Sequence, residues 1–126
     1  MHAETPQAAI ELFAAAMSSG DLDGALSLYE PTATFAPQPG ASVTGLPAIR
    51  EALQGFLALQ ATLSGRVRKM LEANGVALVV KEWTLAGKEP DGGEIAMSGV
   101  SADVLRRQAD GRWLILVDDP WGAHAP

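Results

Sequence analysis

Cysteine is absent from the 126-residue sequence, and the two histidines, His2 and His124, lie near opposite ends. Without cysteine, a disulfide framework and a thiolate metal site are excluded. A histidine-rich metal motif and a Ser-His-Asp catalytic set are not expected, because neither histidine lies within a predicted helix or strand. No glycine-rich phosphate loop follows a predicted strand. We therefore expect no metal and no cofactor.

Long apolar runs and basic segments are also scarce. The sequence contains no run of about 18 apolar residues, so no membrane-spanning helix is predicted. The N-terminal residues MHAETPQAAIELF contain an early acid and no basic segment, which argues against a signal peptide. The net charge of −6 repels nucleic acid and anionic lipid. We expect no nucleic-acid partner, no membrane partner and a cytoplasmic location.

Apolar residues are plentiful, at 48% of the sequence. This composition supports a hydrophobic core, and the chain length suits one domain. No linker, repeat or low-complexity stretch divides the sequence. We expect a single domain over residues 1–126, with its folded core over about residues 5–122.

Helices are predicted in the first half of the sequence. Thr5 is a typical helix cap, and Gly20 is a typical residue after a helix end. A second helix is predicted to begin after Asp21 and to end before Pro31. Apolar residues recur at helical spacing again over residues 46–57, which predicts a third amphipathic helix.

Strands are predicted between and after the helices, where apolar and polar residues alternate. Asn74-Gly75 is a strong signal for a tight hairpin between two of these strands. The predicted strands are residues 32–36, a brief segment around Val43, and residues 65–73, 76–86, 94–107 and 112–120. The order of elements predicts an α+β fold with the helices on one face of an antiparallel sheet.

Three stretches resemble one known superfamily. They are FAAAMSSGDLDGALSLYEPTATF, GLPAIREALQGFL and GRWLILVDDPWG, and they are similar to the nuclear transport factor 2-like superfamily, in particular its SnoaL-like and ketosteroid isomerase-like group. The resemblance implies a cone-shaped, curved antiparallel (mixed) sheet wrapped around three N-terminal helices. It also implies an apolar pocket at one end and a homodimer formed through the outer face of the sheet.

Ketosteroid isomerases use a tyrosine donor, a carboxylate base and a neutral aspartic acid donor. The resemblance provides a matching residue for only one of these three roles. The position of the isomerase tyrosine matches Phe13, which has no hydroxyl group. The position of the carboxylate base falls at or next to Pro37, which cannot accept a proton. The position of the neutral aspartic acid matches Asp103. Steroid isomerisation by the known mechanism is therefore not expected.

Asp103 and Asp118 are the candidate catalytic residues. The isomerase alignment directs both side chains towards the pocket and Asp119 away from it. Two carboxylates about 5 Å apart repel by roughly 3 kcal/mol at an effective dielectric of about 20, which is enough to keep one of them protonated near neutral pH. The alternatives stay open: Asp103 is solvent-exposed or bonded to a backbone amide, and Asp118 simply ends its strand before Pro120.

Candidate pocket-lining residues come from helices and strands alike. Tyr29 lies at the end of the second predicted helix, and strict alternation places Trp113 on the face opposite Leu116. If Lys81 faces inward it needs an acidic partner; otherwise Glu82 faces inward instead. The full set is Phe13, Tyr29, Phe56, Val79, Lys81, Trp83, Met97, Ser101, Leu116, Pro120 and Trp121.

The sequence leaves two functions open. The first is a protein that binds a small apolar or aromatic molecule in a pocket, with or without cofactor-independent proton transfer of the isomerase, hydratase or cyclase type. The second is a non-catalytic dimeric binding or scaffold module whose cone is filled by side chains. A cavity above about 300 Å³ with an inward carboxylate favours the first, and a filled cone with an apolar outer sheet face favours the second.

Overall fold

A computed structural model describes residues 2–122 of the chain. The elements form one α+β domain in which three helices cover a six-stranded sheet. The helices are α1 (Pro6–Ser19), α2 (Leu22–Leu26) and α3 (Leu46–Leu57), and the strands are β1 (Tyr29–Gln38), β2 (Ala41–Thr44), β3 (Thr62–Ala73), β4 (Val76–Lys88), β5 (Glu94–Arg107) and β6 (Trp113–Asp119).

Local sequence signals account for the helix ends. The Thr5 hydroxyl accepts a hydrogen bond from the Ala8 amide, and Gly20 adopts a left-handed conformation with φ of 76° that ends α1. The Asp21 carboxylate accepts a hydrogen bond from the Gly24 amide and so caps α2. These caps are the ones that the sequence predicts.

The sheet is mixed and has the strand order β2-β1-β6-β5-β4-β3. Only the pairing of β1 with β6 is parallel; the other four pairings are antiparallel. The inner face of the curled sheet packs against α1 and α3, and residues from both layers form one main hydrophobic core. The predicted fold class is confirmed.

The second helix is shorter than the sequence predicts. α2 ends at Leu26, and Tyr29 is the first residue of β1 rather than part of a helix. Pro31 lies inside that strand, at the point where the register between β1 and β6 is irregular. A strand tolerates proline at such an irregularity because no ladder hydrogen bond is needed there.

A β-bulge in β6 changes which residues face the core. Leu105 pairs with Ile115 while Val104 pairs with Val117, so Leu116 is an extra residue without its own partner on β5. Trp113 and Ile115 therefore belong to the buried core. The prediction that Trp113 packs on the opposite face is wrong, because it assumes regular alternation along the whole strand.

None of the helices within residues 2–122 has the length and apolar character needed to cross a membrane.

Candidate functional site

A small apolar cavity lies between the inner face of the sheet and helices α1 and α3. Its volume is about 70 Å³. Apart from the indole N–H groups of the two tryptophans, the polar side-chain groups of the lining belong to Lys81, Ser101 and Asp118. The lining residues are Phe13, Met17, Phe35, Leu53, Phe56, Leu63, Lys81, Trp83, Leu85, Ser101, Asp118, Pro120 and Trp121.

Asp103 and Asp118 are direct cross-strand neighbours at this cavity. They pair in the register of β5 and β6, and they are only 3% and 7% exposed. Directly opposed residues in an antiparallel pair have Cβ atoms about 4.5–5.5 Å apart. Asp118 lines the cavity, and Asp103 lies beside it on the next strand.

Hydrogen bonds hold each of the two carboxyl groups in place. The Tyr29 hydroxyl donates to Asp118 Oδ2 over 2.5 Å. The Ser101 hydroxyl donates to Asp103 Oδ2 over 2.9 Å, and the Asp119 amide donates to Asp103 Oδ1 over 3.2 Å. Groups from three strands therefore hold the pair in place.

Burial and like charge control the protonation of this cluster. Loss of solvent raises the pKa of Asp103 well above its ordinary value, and the adjacent Asp118 raises it further, while Lys81 opposes both to a smaller extent. Burial, followed by the charge of Asp118, also raises the pKa of Tyr29, so its hydroxyl stays a donor. Asp103 therefore keeps its proton to a higher pH than an ordinary aspartic acid.

Lys81 faces inward, and Glu82 faces outward. The Lys81 side chain is 13% exposed, its Nζ lies 3.9 Å from Asp103 Oδ2, and it lies 5.9 Å from the centroid of the Phe13 ring. Within residues 2–122 no hydrogen bond is made by this Nζ. Glu82 instead forms ion pairs with Arg66 and Arg68 over 3.2 and 3.3 Å. The ammonium group is the cation of the cavity wall.

Two tryptophans form one wall of the cavity, and a glycine packs against one of them. The Trp83 indole donates to the Pro120 carbonyl over 2.7 Å and packs edge-on against Trp121, with ring centroids 5.3 Å apart. Gly99 lies against the Trp83 indole, and a Cβ atom at this position would lie only 2.9 Å from Trp83 Cζ2. Any larger residue at this position would displace the indole.

The structure places the sequence-predicted site residues in two groups. Eight of them line the cavity: Phe13, Phe56, Lys81, Trp83, Ser101, Asp118, Pro120 and Trp121. The other five lie outside the lining, and Asp103, beside Asp118, is one of them. Tyr29 is the donor to Asp118, Val79 pairs with Asp103 across β4 and β5, Met97 packs beside the Trp83 cluster, and Leu116 is the extra residue of the bulge.

Sequence reasoning missed five lining residues: Met17, Phe35, Leu53, Leu63 and Leu85. Met17 and Leu53 lie on the apolar faces of α1 and α3, so helical spacing marks them as core but not as lining. Phe35 is the partner of Asp118 in the parallel pairing of β1 with β6. That pairing has no short-range sequence signal, because the two strands are far apart in the chain.

Among residues 2–122, no group of three or more histidine, aspartate or glutamate side chains is arranged to hold a metal ion.

Comparison with known families and structures identifies the scaffold. Residues 10–115 match the family described as the SnoaL-like domain. The chain belongs to this family. The SnoaL-like chain gives no match among functionally curated proteins.

Three solved structures show the same fold as this SnoaL-like chain. A nuclear transport factor 2-like protein of unknown function from Shewanella oneidensis is 20% identical, with a TM-score of 0.73 over 87% of this chain and 90% of that one. A ketosteroid isomerase-like protein from Erwinia carotovora atroseptica is 13% identical, with a TM-score of 0.73 over 89% and 88%. A Xanthomonas campestris protein, named for a calcium/calmodulin-dependent protein kinase II association domain, is 20% identical, with a TM-score of 0.76 over 90% and 81%.

The SnoaL-like scaffold presents its hydroxyl donor from an unexpected position. Phe13, the match to the isomerase tyrosine, contacts Tyr29 edge-on with ring centroids 5.6 Å apart. The Tyr29 hydroxyl, at the start of β1, reaches Asp118 instead. Tyr29, Asp118 and Asp103 therefore form one buried cluster.

Proposed function

We propose that this protein binds a small, uncharged carbonyl compound in the apolar cavity and transfers a proton to and from its α-carbon. The supporting observation is the pair formed by Asp103 and Asp118, two buried carboxyl groups opposed across β5 and β6 at an apolar cavity. Buried, like-charged pairs of this kind separate into one acid and one base, which is the requirement for proton transfer at neutral pH.

Each group has a distinct role in the proposed step. Asp118, which lines the cavity, accepts the α-proton, and the electron pair of the C–H bond forms the carbon–carbon double bond of an enolate. The carbonyl oxygen gains the negative charge and accepts a hydrogen bond from the Lys81 ammonium. Asp118 then protonates the same carbon or a conjugated one, and where its carboxyl proton has first exchanged with solvent the carbon receives a solvent hydrogen. Asp103 keeps its own proton and so limits the negative charge beside Asp118.

The size of the cavity restricts the reacting group. An apolar cavity of about 150 Å³ accommodates benzene, and this cavity is about 70 Å³. A fused-ring steroid does not fit within it, so a short ketone or enone fragment is the favoured reacting group.

Deuterium exchange tests the proposal directly. The protein is incubated with butanone in deuterium oxide, and the loss of the α-proton signals is followed by NMR. We expect exchange above the buffer rate, and a decrease of about 100-fold or more for Asp118→Asn because the amide cannot act as the base. Exchange no faster than in buffer would rule the proposal out.

Asp119→Asn is the matched control for this experiment. Asp119 is the adjacent acid, and its carboxylate accepts a hydrogen bond from the Trp121 amide rather than lining the cavity. We expect this variant to keep the wild-type exchange rate. If the exchange rate fell equally in Asp118→Asn and Asp119→Asn, the inward position of the Asp118 carboxylate would not be what supports the reaction.

A second candidate function is a non-catalytic dimeric binding or scaffold module. Two observations favour it: the cavity is far below the size of about 300 Å³ typical of ligand sites, and an apolar row crosses the outer face of the sheet. The outer apolar row consists of Leu71, Leu78, Val104 and Val117, which are successive partners across four strands. Leu71 and Leu78 are 56% and 40% exposed.

The oligomeric state tests this second function. If the outer apolar row is a dimer interface, light scattering after size-exclusion chromatography gives twice the chain mass, and Leu78→Lys gives the monomer. Thr84→Lys, at an exposed position on the same strand, is the control and should leave the dimer intact. A monomeric wild-type protein would exclude this interface.

A further inference from the structure

A groove beside the cavity is larger than the cavity itself. It lies between α1 and the strands β3 and β4, with a volume of about 290 Å³. Leu63, Lys81 and Trp83 line both the groove and the cavity. These three side chains are therefore the partition between the two spaces.

The partition contains groups that can move aside. Lys81 has a long, flexible side chain, and its Nζ makes no hydrogen bond within residues 2–122. Leu63 is only partly buried. Gly65 also lines the groove and has no side chain to block it. Glycine is needed at this position because β3 lies so close to β4 that a Cβ atom would be 2.6 Å from the Glu82 carbonyl oxygen. A ligand can thus extend past Lys81 without displacing backbone.

The groove has an apolar floor and a polar, partly acidic rim. Ile10, Ala14 and Val67 contribute apolar surface. At the rim, the Gln7 amide group donates to the Glu11 carboxylate over 3.0 Å. The rim carries an acid, and Lys81, the cation among the lining residues, is the proposed partner of the carbonyl group. The groove therefore favours an uncharged chain over one ending in a carboxylate.

We propose that the groove between α1 and β3 holds the apolar tail of the ligand, while the carbonyl group lies at Lys81 and the α-carbon faces Asp118. This inference rests on the proposed function and names its substrate class: methyl ketones or enones with an uncharged alkyl or aryl tail. It explains how a cavity that fits only a short fragment belongs to a site for a larger molecule.

A homologous series of ketones tests the placement of the tail. Dissociation constants are measured by ligand-observed NMR for methyl ketones with ethyl, butyl, hexyl and octyl chains. Burial of each additional methylene group in the groove should tighten binding by about fourfold. A tail that stays in solvent gives dissociation constants that do not change with chain length, which would overturn the inference.

Two matched variants on α1 separate the groove from general effects of hydrophobicity. Ala14 lines the groove, whereas Ala15 is exposed to solvent on the next position of the helix. Ala14→Phe should abolish the dependence of binding on chain length, and Ala15→Phe should keep the dependence of the wild type. An unchanged chain-length dependence in Ala14→Phe would also overturn the inference.

The outcome distinguishes this inference from the proposed function. If butanone exchanges deuterium and binds, but longer ketones bind no more tightly, only the groove assignment fails. If no ketone of any length binds or exchanges, the proposed function itself fails. Thermal unfolding of Ala14→Phe and Ala15→Phe shows whether each variant is folded before binding is compared.

Discussion

Two clusters that contain buried acids lie on opposite faces of the sheet and differ in what surrounds their carboxyl groups. The inner cluster joins Asp103 and Asp118, where burial and a second acid raise the pKa of Asp103. In the outer cluster, Glu30 accepts hydrogen bonds from both Arg106 and Gln108. The hydrogen bonds from Arg106 lower the pKa of Glu30.

The difference begins with a single step along β1. Tyr29 and Glu30 are consecutive, and successive side chains of a strand point to opposite faces. Tyr29 therefore joins the inner acids, while Glu30 meets Arg106, which follows the core residue Leu105 on β5. One cluster offsets its buried charge with a cation in bonding contact. The inner cluster instead places two carboxyl groups side by side, with the Lys81 ammonium 3.9 Å from Asp103 Oδ2, an arrangement that proteins retain mainly where function requires it.

The hydrogen bond from Tyr29 to Asp118 carries the largest expected change in stability. Tyr29→Phe leaves a buried carboxylate without its donor, and the free energy of unfolding should fall by about 1–3 kcal/mol. Urea denaturation followed by tryptophan fluorescence measures this. A loss below about 0.5 kcal/mol would show that water or another group replaces the phenol.

The outer cluster gives the next largest effect. Glu30→Gln removes the charge that Arg106 binds, and we expect a loss of about 1–2 kcal/mol at neutral pH, since Arg106 is partly exposed and its attraction is screened. The lowered pKa of Glu30 means that its contribution is complete above its ordinary value of 4.5 and disappears as pH falls through the folded-state value. Wild type and variant should therefore converge in urea denaturation at acidic pH.

The same acid-to-amide change in the inner cluster should have the opposite sign. The raised pKa of Asp103 means that the folded state binds its proton more tightly than the unfolded state, so this residue lowers stability as pH rises above 3.8 towards the folded-state value. Asp103→Asn should therefore stabilise the protein at alkaline pH by about 0.5–2 kcal/mol. The gain should vanish at acidic pH, and a destabilised variant at alkaline pH would contradict the assignment.

The sequence predicts most of the scaffold because its signals are local. The caps at Thr5 and Asp21 and the hairpin at Asn74-Gly75 act within a few residues of chain, and the structure shows all three. Alternation along β5 likewise predicts that Ser101 and Asp103 share a face, and both are buried.

The site is less predictable because it depends on two irregularities. The bulge at Leu116 brings Trp113 and Asp118 to the same face, which regular alternation forbids. The parallel pairing of β1 with β6 places Tyr29 next to Ile115 and Phe35 next to Asp118, across more than half of the chain. Neither feature has a local signature, so the role of Tyr29 as donor to Asp118 emerges only from the fold.

An exposed ion pair supplies the smallest expected effect and sharpens the comparison of the two buried clusters. Asp23 in α2 accepts a hydrogen bond from Arg50 in α3, and the two side chains are 84% and 46% exposed. Solvent screens this attraction, so Arg50→Met should change the free energy of unfolding by less than about 0.5 kcal/mol, and added salt should remove the difference. If urea denaturation instead shows that Arg50→Met lowers the free energy of unfolding as much as Glu30→Gln does, burial is not what makes the outer cluster stabilising. The contrast between Glu30 and Asp103 would then rest only on the sign of the neighbouring charge.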